Sequence, residues 1–373
     1  MNCDLTSLAV AGVRRLKPYD PGKPIEELER ELGIRGSLKL ASNENPLGAS
    51  PRAVEAMRRE LDKVSNYPDG NGFALKQTLA AYHGMPAAGV TLGNGSNEIL
   101  ELVARAFLRP GLEAAFSKHA FAVYPLVVQA VNATARIASA NPPEHSMPYG
   151  HDLKALAALI NDATRVVFVA NPNNPTGTWI GSEPLRDFIN DLPATTLVVV
   201  DEAYSEYVQN PDYPNVARWL EQFPNLIVTR TFSKIYGLAG VRVGYGLSHP
   251  DVAELLNRLR QPFNVSSLAQ YAALAALEDS DHVTRSREMN THGLAQFSRA
   301  FESRALSYIP SVANFICVNV GQAALPIYEA LLREGVIVRP VASYALPEYL
   351  RITIGREDQN RRVLAALDKV LGL

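Results

Sequence analysis

Four short stretches of this chain carry residue types that small-molecule chemistry would use. In Thr231-Phe232-Ser233-Lys234 an amine follows two hydroxyls, directly after the apolar run Leu226–Arg230. A lysine just past a buried strand sits where α/β sheets bind ligands, outside the strand carboxyl ends. Asp201 closes the run Leu197–Val200 and puts a carboxylate at the same edge. Asn171-Pro172-Asn173-Asn174-Pro175-Thr176-Gly177 follows Arg165–Ala170 in the same way. Singly, each has a plainer reading: a solvated lysine, an N-cap aspartate, an Asn/Pro/Gly loop. Together, three successive strands bring Asn174, Asp201 and Lys234 to one edge, which chance seldom arranges. The fourth stretch, Gly93-Asn94-Gly95-Ser96-Asn97-Glu98, opens a helix. Its glycines let backbone approach closely, and free N–H groups at a helix start attract anions. It lacks the third glycine of a dinucleotide fingerprint, and taken alone it reads equally well as a capped helix start.

One chemistry needs all these parts. Pyridoxal 5′-phosphate requires a lysine amine to condense with its aldehyde and an acid to hold its pyridine nitrogen protonated. It also requires donors for its ring oxygen and an anion site for its phosphate.

The elements that must position these residues alternate short β-rich runs with longer helical ones, the pattern of a mostly parallel sheet covered on both faces. Candidate strands are Arg165–Ala170, Leu197–Val200, Leu226–Arg230 and Val241–Leu247, each continuous and apolar as doubly buried strands are. Candidate helices are Ser50–Leu61, Phe73–His83, Ser96–Phe107, Leu153–Ile160, Asp251–Arg260 and Leu268–Leu277. Asn141–Gly150, with its prolines, reads as a surface loop. Past about residue 265 the runs Phe315–Val320, Val336–Arg339 and Leu350–Ile354 predict a second, smaller α+β domain. The expected division is therefore 41–265 for the large domain, with 1–40 and 266–373 forming an N-terminal arm and the small domain.

Composition narrows the function classes. The 373 residues hold 36 Lys+Arg against 38 Asp+Glu, a net charge of −2. Binding nucleic acid through its phosphates needs a strong basic excess. No apolar run approaches the roughly 20 residues a membrane span requires. Arg14-Arg15 come after the early apolar stretch, the reverse of a secretory signal. Two cysteines, Cys3 and Cys317, make neither a disulfide framework nor a zinc site, so no metal is expected and the cytoplasm is the expected home.

Seven stretches now carry a resemblance: Leu40–Pro51 (LASNENPLGASP), Asn66–Phe73 (NYPDGNGF), Asn171–Gly177 (NPNNPTG), Asp201–Tyr204 (DEAY), Thr231–Lys234 (TFSK), Gly240–Gly244 (GVRVG) and Leu350–Gly355 (LRITIG). In order and spacing the chain resembles the fold-type I aminotransferases, and among them the histidinol-phosphate aminotransferase family, over about residues 40–355. The resemblance implies an α/β large domain with a mixed, mostly parallel sheet between helices, plus a smaller α+β domain. It implies pyridoxal 5′-phosphate bonded to Lys234, which then shuttles a proton, its pKa lowered by desolvation and by nearby Arg242. Asp201 would meet the pyridine nitrogen, and Asn174 and Tyr204 the ring oxygen. Gly95, Ser96, Thr231, Ser233 and Arg242 would form the phosphate cup. Phe121 stands where the family usually stacks a Tyr on the ring. Phe121 and Ser233 also admit plain structural roles, in the core and in a turn. Arg351, charged among apolar neighbours, asks for a partner; the family uses it as a fork for the substrate carboxylate. Arg339, Tyr19 and Asn43 fall at substrate-side positions, and Tyr67 at the position that reaches the neighbouring active site of a homodimer.

The implied reaction moves an amino group between glutamate and histidinol phosphate by a ping-pong route, in histidine biosynthesis. An aromatic amino-acid transaminase and a phospho-amino-acid decarboxylase stand as alternatives on the same scaffold. One stretch departs from the family: Ser343-Tyr344-Ala345 replaces a Gly-Tyr-Gly turn, and the lost glycines predict a loop without the φ > 0 geometry they permit.

Overall fold

The computed structural model describes residues 4–19 and 21–373, so Cys3 lies outside the described residues. Strand β1 (Leu38–Lys39) opens the chain's sheet structure, followed by β2 (Val90–Gly93), β3 (Glu113–Ser117), β4 (Thr134–Ala138), β5 (Thr164–Ala170), β6 (Leu197–Asp201), β7 (Leu226–Thr231) and β8 (Gly244–Ser248). Strands β2–β8 form one seven-stranded sheet in the order β2-β8-β7-β6-β5-β3-β4. Only β8 runs against its neighbours; the pairs from β7 through to β4 are parallel. The central strands are buried at every residue but Arg165 and rich in Val and Ile, which suits pleated surfaces packed on both sides.

The chain then builds a second body from β9 (Tyr308–Ile309), β10 (Phe315–Asn319), β11 (Val336–Ile337), β12 (Arg339–Pro340) and β13 (Tyr349–Thr353). Strands β12-β13-β10-β9 form an antiparallel sheet, while β11 pairs in parallel with β1. The expected single run Val336–Arg339 is thus two strands serving two sheets. The segment before residue 41 is tied to this body through β1. Its core joins Ile316, Val318, Leu350 and Ile352 to Phe297, Phe301, Val363 and Leu367 from flanking helices.

Helix starts follow their caps. Ser50 accepts from the N–H groups of Arg52 and Ala53, with Pro51 opening helix Pro51–Glu60. Asp279 caps the 24-residue helix Ser280–Ser303. Helix Ser267–Leu277 lays buried Ala269, Ala272, Ala273 and Ala276 into the large-sheet core and packs on helix Pro51–Glu60. We propose that the passage between the two bodies falls within the long helix Ser280–Ser303, rather than at residue 265.

Other boundaries differ from expectation for local reasons. Strand β8 starts at Gly244, not Val241, because Ala239–Val241 is a 3-10 turn and Arg242 is left-handed at φ 57°. Strands β2, β3 and β4 and helices Val123–Ala130 and Ser182–Asp191 are not apparent from the sequence. In the three strands Gly, Ala and Thr blur the apolar runs, and four of the five residues of β4 face solvent at the sheet edge.

Candidate active site

The sheet registers assemble the site. Ala170 lies beside Asp201, Asp201 beside Thr229, Thr231 beside Gly244, and Gly244 beside Gly93. Strands β5, β6, β7 and β2 leave the sheet at this edge and reversed β8 enters there. The loop after each ending strand, and the turn before β8, therefore meet over one cavity of about 370 Å³, the size of a small-ligand pocket. All the candidate residues except Gly95 and Tyr67 line it.

The Lys234 amine donates to the carbonyl of Ser42 at 3.1 Å and lies 5.7 Å from the Tyr204 ring centroid. Its pKa is lowered to about 8, first by withdrawal from water and next by Arg351, with Arg242 a lesser cation and Glu44 and Asp201 opposing. The sequence pointed to Arg242; the structure gives Arg351 the larger part. Asp201 is buried, which pushes its carboxyl pKa up; hydroxyls of Tyr124 and Thr229, each donating at 3.0 Å, pull the other way.

Asn43 sits left-handed at φ 56° and donates from Nδ2 to the Tyr204 hydroxyl at 2.9 Å. Its own N–H donates to Thr353 Oγ1 at 2.9 Å, and Asn314 Nδ2 donates to its carbonyl at 3.0 Å, so the strained backbone is held at both polar groups by the second body. Asn174 accepts on Oδ1 from Arg351 Nη1 at 2.6 Å. Arginine is donor only, so this contact turns the Asn174 amide donors away from it. Arg351 Nη2 donates to the carbonyl of Ala41 at 2.7 Å, and its guanidinium lies over the Phe315 ring. Its Nε is buried with no partner among the described residues. Because Leu350 and Ile352 face the small-body core, strand alternation turns Arg351 to the cavity. Arg339 lies opposite it in the β12–β13 register, with its guanidinium 5.7 Å from the Tyr19 ring.

Ser233 accepts from Arg242 Nη1 at 3.2 Å and its N–H donates to Thr231 Oγ1 at 3.1 Å. Arg242 also donates to the carbonyls of Ala239 and Asn94. Gly95 precedes helix Ser96–Phe107 at φ 75°, and a Cβ there would come within 2.6 Å of Arg242 Nη2. Glycine at 95 is what lets the guanidinium close over the helix start, and the result is an anion cradle of helix N–H groups, two hydroxyls and a cation. Phe121 forms part of the cavity wall, edge-on to Tyr124. Tyr67 stands apart, 81% exposed and stacked on Phe263 at 4.6 Å.

Ala345 adopts φ 59°, contrary to the expectation drawn from its missing glycines. Buried Tyr344, whose carbonyl meets His119 Nδ1 at 2.6 Å, anchors the turn. The anchoring outweighs the cost of a left-handed alanine, on the order of 1–2 kcal/mol. Sequence reasoning missed Tyr124, Thr229, Asn97 and Ser42. Thr229 could have been found as the one hydroxyl in an apolar run beside Asp201; the others carry no local signal.

These residues fit pyridoxal 5′-phosphate. The hydroxyls and guanidinium of the anion cradle, a buried carboxylate, an amine of lowered pKa and an aromatic ring all line the one cavity. The family model for class I and II aminotransferases matches residues 35–367, and the chain belongs to that family. A histidinol-phosphate aminotransferase 2 from Pseudomonas fluorescens is 58% identical over 100% of this chain and 99% of the relative. Its counterpart from Pseudomonas aeruginosa is 57% identical over 99% of each. The crystal structure of histidinol-phosphate aminotransferase from Sinorhizobium meliloti in complex with pyridoxal-5′-phosphate matches with a TM-score of 0.89 at 29% identity, covering 98% of both chains. Thermus thermophilus aspartate aminotransferase shares the fold, with a TM-score of 0.83 at 19% identity over 97% of this chain and 99% of that one.

Proposed function

We propose that this chain is a pyridoxal 5′-phosphate-dependent transaminase passing an amino group from L-glutamate to imidazole-acetol phosphate, giving 2-oxoglutarate and L-histidinol phosphate, in histidine biosynthesis. The observation that carries it is Arg351 and Arg339 facing one another across β12 and β13, in the same cavity as Lys234 and Asp201. Glutamate and histidinol phosphate each bear an anionic group on the carbon that holds the amine, a carboxylate directly or a phosphate through CH2–O. Arg351 takes that group as a fork, and Arg339 takes a second anionic oxygen.

The cofactor, when bound, withdraws electrons from the substrate carbon that carries nitrogen and stores the amino group between half-reactions. The protein does the rest. Asp201 would keep the pyridine nitrogen protonated, Asn174 and Tyr204 would hold the ring oxygen, and Phe121 would pack on the ring. Gly95, Ser96, Thr231, Ser233 and Arg242 hold the phosphate, while Tyr19 and Asn43 shape the substrate side. Lys234, its amine held at lowered pKa beside the cavity, would take and give back the proton of the substrate carbon. The test follows absorbance changes in the half-reaction with histidinol phosphate, phenylalanine and glutamate separately. Histidinol phosphate is expected to act at far lower concentration than phenylalanine. The opposite order makes the chain an aromatic transaminase, and no change with any of them reopens the decarboxylase.

Only a neutral amine attacks an aldehyde, so the rate at which apo-protein takes up the cofactor should rise as pH passes through about 8, the pKa of Lys234. Arg351→Gln removes the larger cationic repulsion and favours the ammonium, so the midpoint moves up. An unmoved midpoint would remove Arg351 from the amine's environment.

The active unit we propose is a homodimer in which Tyr67 reaches the neighbouring cofactor phosphate. Leu61, Val64, Tyr67 and Phe73 stand exposed along one stretch, joined by exposed Phe263 under the Tyr67 ring, an apolar display that favours association. Arg260 Nη2 and Gln270 Nε2 hold the loop at the carbonyls of Gly70 and Asp69. Val64→Glu with Phe263→Glu should convert dimer to monomer in sedimentation. Tyr67→Phe should keep the dimer and weaken cofactor binding about tenfold, the scale of one hydrogen bond to a charged group. A wild-type monomer with full activity rejects this arrangement. Among the described residues no helix is long and apolar enough to cross a membrane; we place the reaction in the cytoplasm, a reading the chain's sparse cysteine supports.

A further inference from the structure

The Asp201 carboxylate is held more completely than an acid resting at a strand end requires. The Tyr124 hydroxyl donates to Oδ2 and the Thr229 hydroxyl to Oδ1, each at 3.0 Å, and the Ala203 N–H also donates to this group. A carboxylate offers about four acceptor positions, so these three donors leave about one, on a group that lines the cavity.

Both hydroxyls are fixed in direction. Tyr124 is fully buried, stacked on Phe168 at 4.8 Å and 9°, and meets Phe121 edge-on at 5.9 Å. Thr229 stands beside Asp201 in the β6–β7 register, fully buried and stiff at χ1. We propose that Tyr124 and Thr229 are positioning residues that commit Asp201 to its anionic form and leave it one open acceptor, aimed at the pyridine nitrogen of the cofactor.

Burial by itself drives a carboxyl towards the neutral acid, which would present a hydroxyl donor to the ring nitrogen. Donors on both oxygens favour the anion, and an anion with one free acceptor takes the ring N–H. Tyr124 joins this acceptor to the cavity wall, because the same ring that donates to Asp201 buttresses Phe121. The orientation of the acid and the seat of the cofactor ring thus depend on one side chain.

The inference rests on the cofactor reading of Asp201, and the experiment separates the two. Tyr124→Phe keeps the stacked ring and removes only the hydroxyl; Thr229→Val removes the other, and Thr229→Ser restores it. Each purified apo-protein is titrated with pyridoxal 5′-phosphate. The bound cofactor's visible absorbance, which responds to protonation of its conjugated system and through that to the charge at the ring nitrogen, is then recorded, and kcat and KM for glutamate are measured. Tyr124→Phe and Thr229→Val should each weaken cofactor binding and lower kcat about 10-fold or more with KM little changed, the scale of a lost hydrogen bond to a charged group. The visible band should shift in the bound fraction, and Thr229→Ser should recover most of the loss. Wild-type affinity, band and kcat in Tyr124→Phe and Thr229→Val would overturn the inference. So would a loss confined to thermal stability with the band unmoved. Failure of the wild-type protein to take up the cofactor at all would instead overturn the reading of the site.

Discussion

Lys234→Ala is expected to lower turnover by about 10⁴-fold or more, the scale of removing a positioned general acid–base that is also the covalent anchor. The fold should survive. Among the described residues the side chain makes one hydrogen bond, to the carbonyl of Ser42, and its positive charge stands near those of Arg351 and Arg242. Its removal relieves repulsion as well as losing a contact, so thermal stability should change little. The cofactor should still bind, because the phosphate cradle of Arg242, Ser233 and the helix start is untouched. Single-turnover absorbance with glutamate makes the measurement. Turnover within tenfold of wild type would sink the assignment of Lys234.

Arg351→Ala should lower kcat/KM for glutamate by about 10²- to 10³-fold, since truncating one partner of a buried charge pair costs about 2–5 kcal/mol. Two effects add in the same direction. The substrate anion loses its fork, and Asn174 Oδ1 loses the donor at 2.6 Å that sets its amide. Histidinol phosphate should suffer as well, since its phosphate hangs beside the amino-bearing carbon. Arg351→Lys keeps a charge but not the planar fork, so it should recover only a part. Unchanged kcat and KM in Arg351→Ala would take this arginine out of the site.

The central part of the fold and most of the site were legible in the sequence, for a common reason. Strands β5, β6 and β7 are short, doubly buried and continuous in Val and Ile, so their ends can be read to within a residue or two. Residues just past each of those ends must lie at the ligand edge, which placed Asn174, Asp201 and Lys234 without any tertiary knowledge. Edge strand β4 defeated the same reading because its exposed residues carry no apolar run. Tyr124 and Thr229 were missed because their function lies in a pairing between elements, invisible along the chain. The rank of Arg351 over Arg242 beside Lys234 was missed for the same reason. Phe121 shows an intermediate case: its position was read from the family resemblance, while the reason a ring suits it comes from Tyr124 behind it. Ala345 shows the reverse, where a sound rule about glycine yielded to the anchorage of one buried tyrosine.

The reversal of β8 gives the site a mechanical property. A parallel successor to β7 would need a crossover helix, and the residues after Lys234 would travel to the far edge of the sheet before returning. With β8 antiparallel, the chain turns back at once, and Thr231 and Gly244 close a ladder on either side of the turn. The proposed covalent anchor, Lys234, and the proposed phosphate clamp, Arg242, therefore sit on a single hairpin, tied by the bond from Arg242 to Ser233. On the proposed assignment, a short length of backbone, from 234 to 242, would set the span between the cofactor's two points of attachment on this chain. A designer moving this chemistry to another sheet would transplant that hairpin as a unit and add the acid from the next strand.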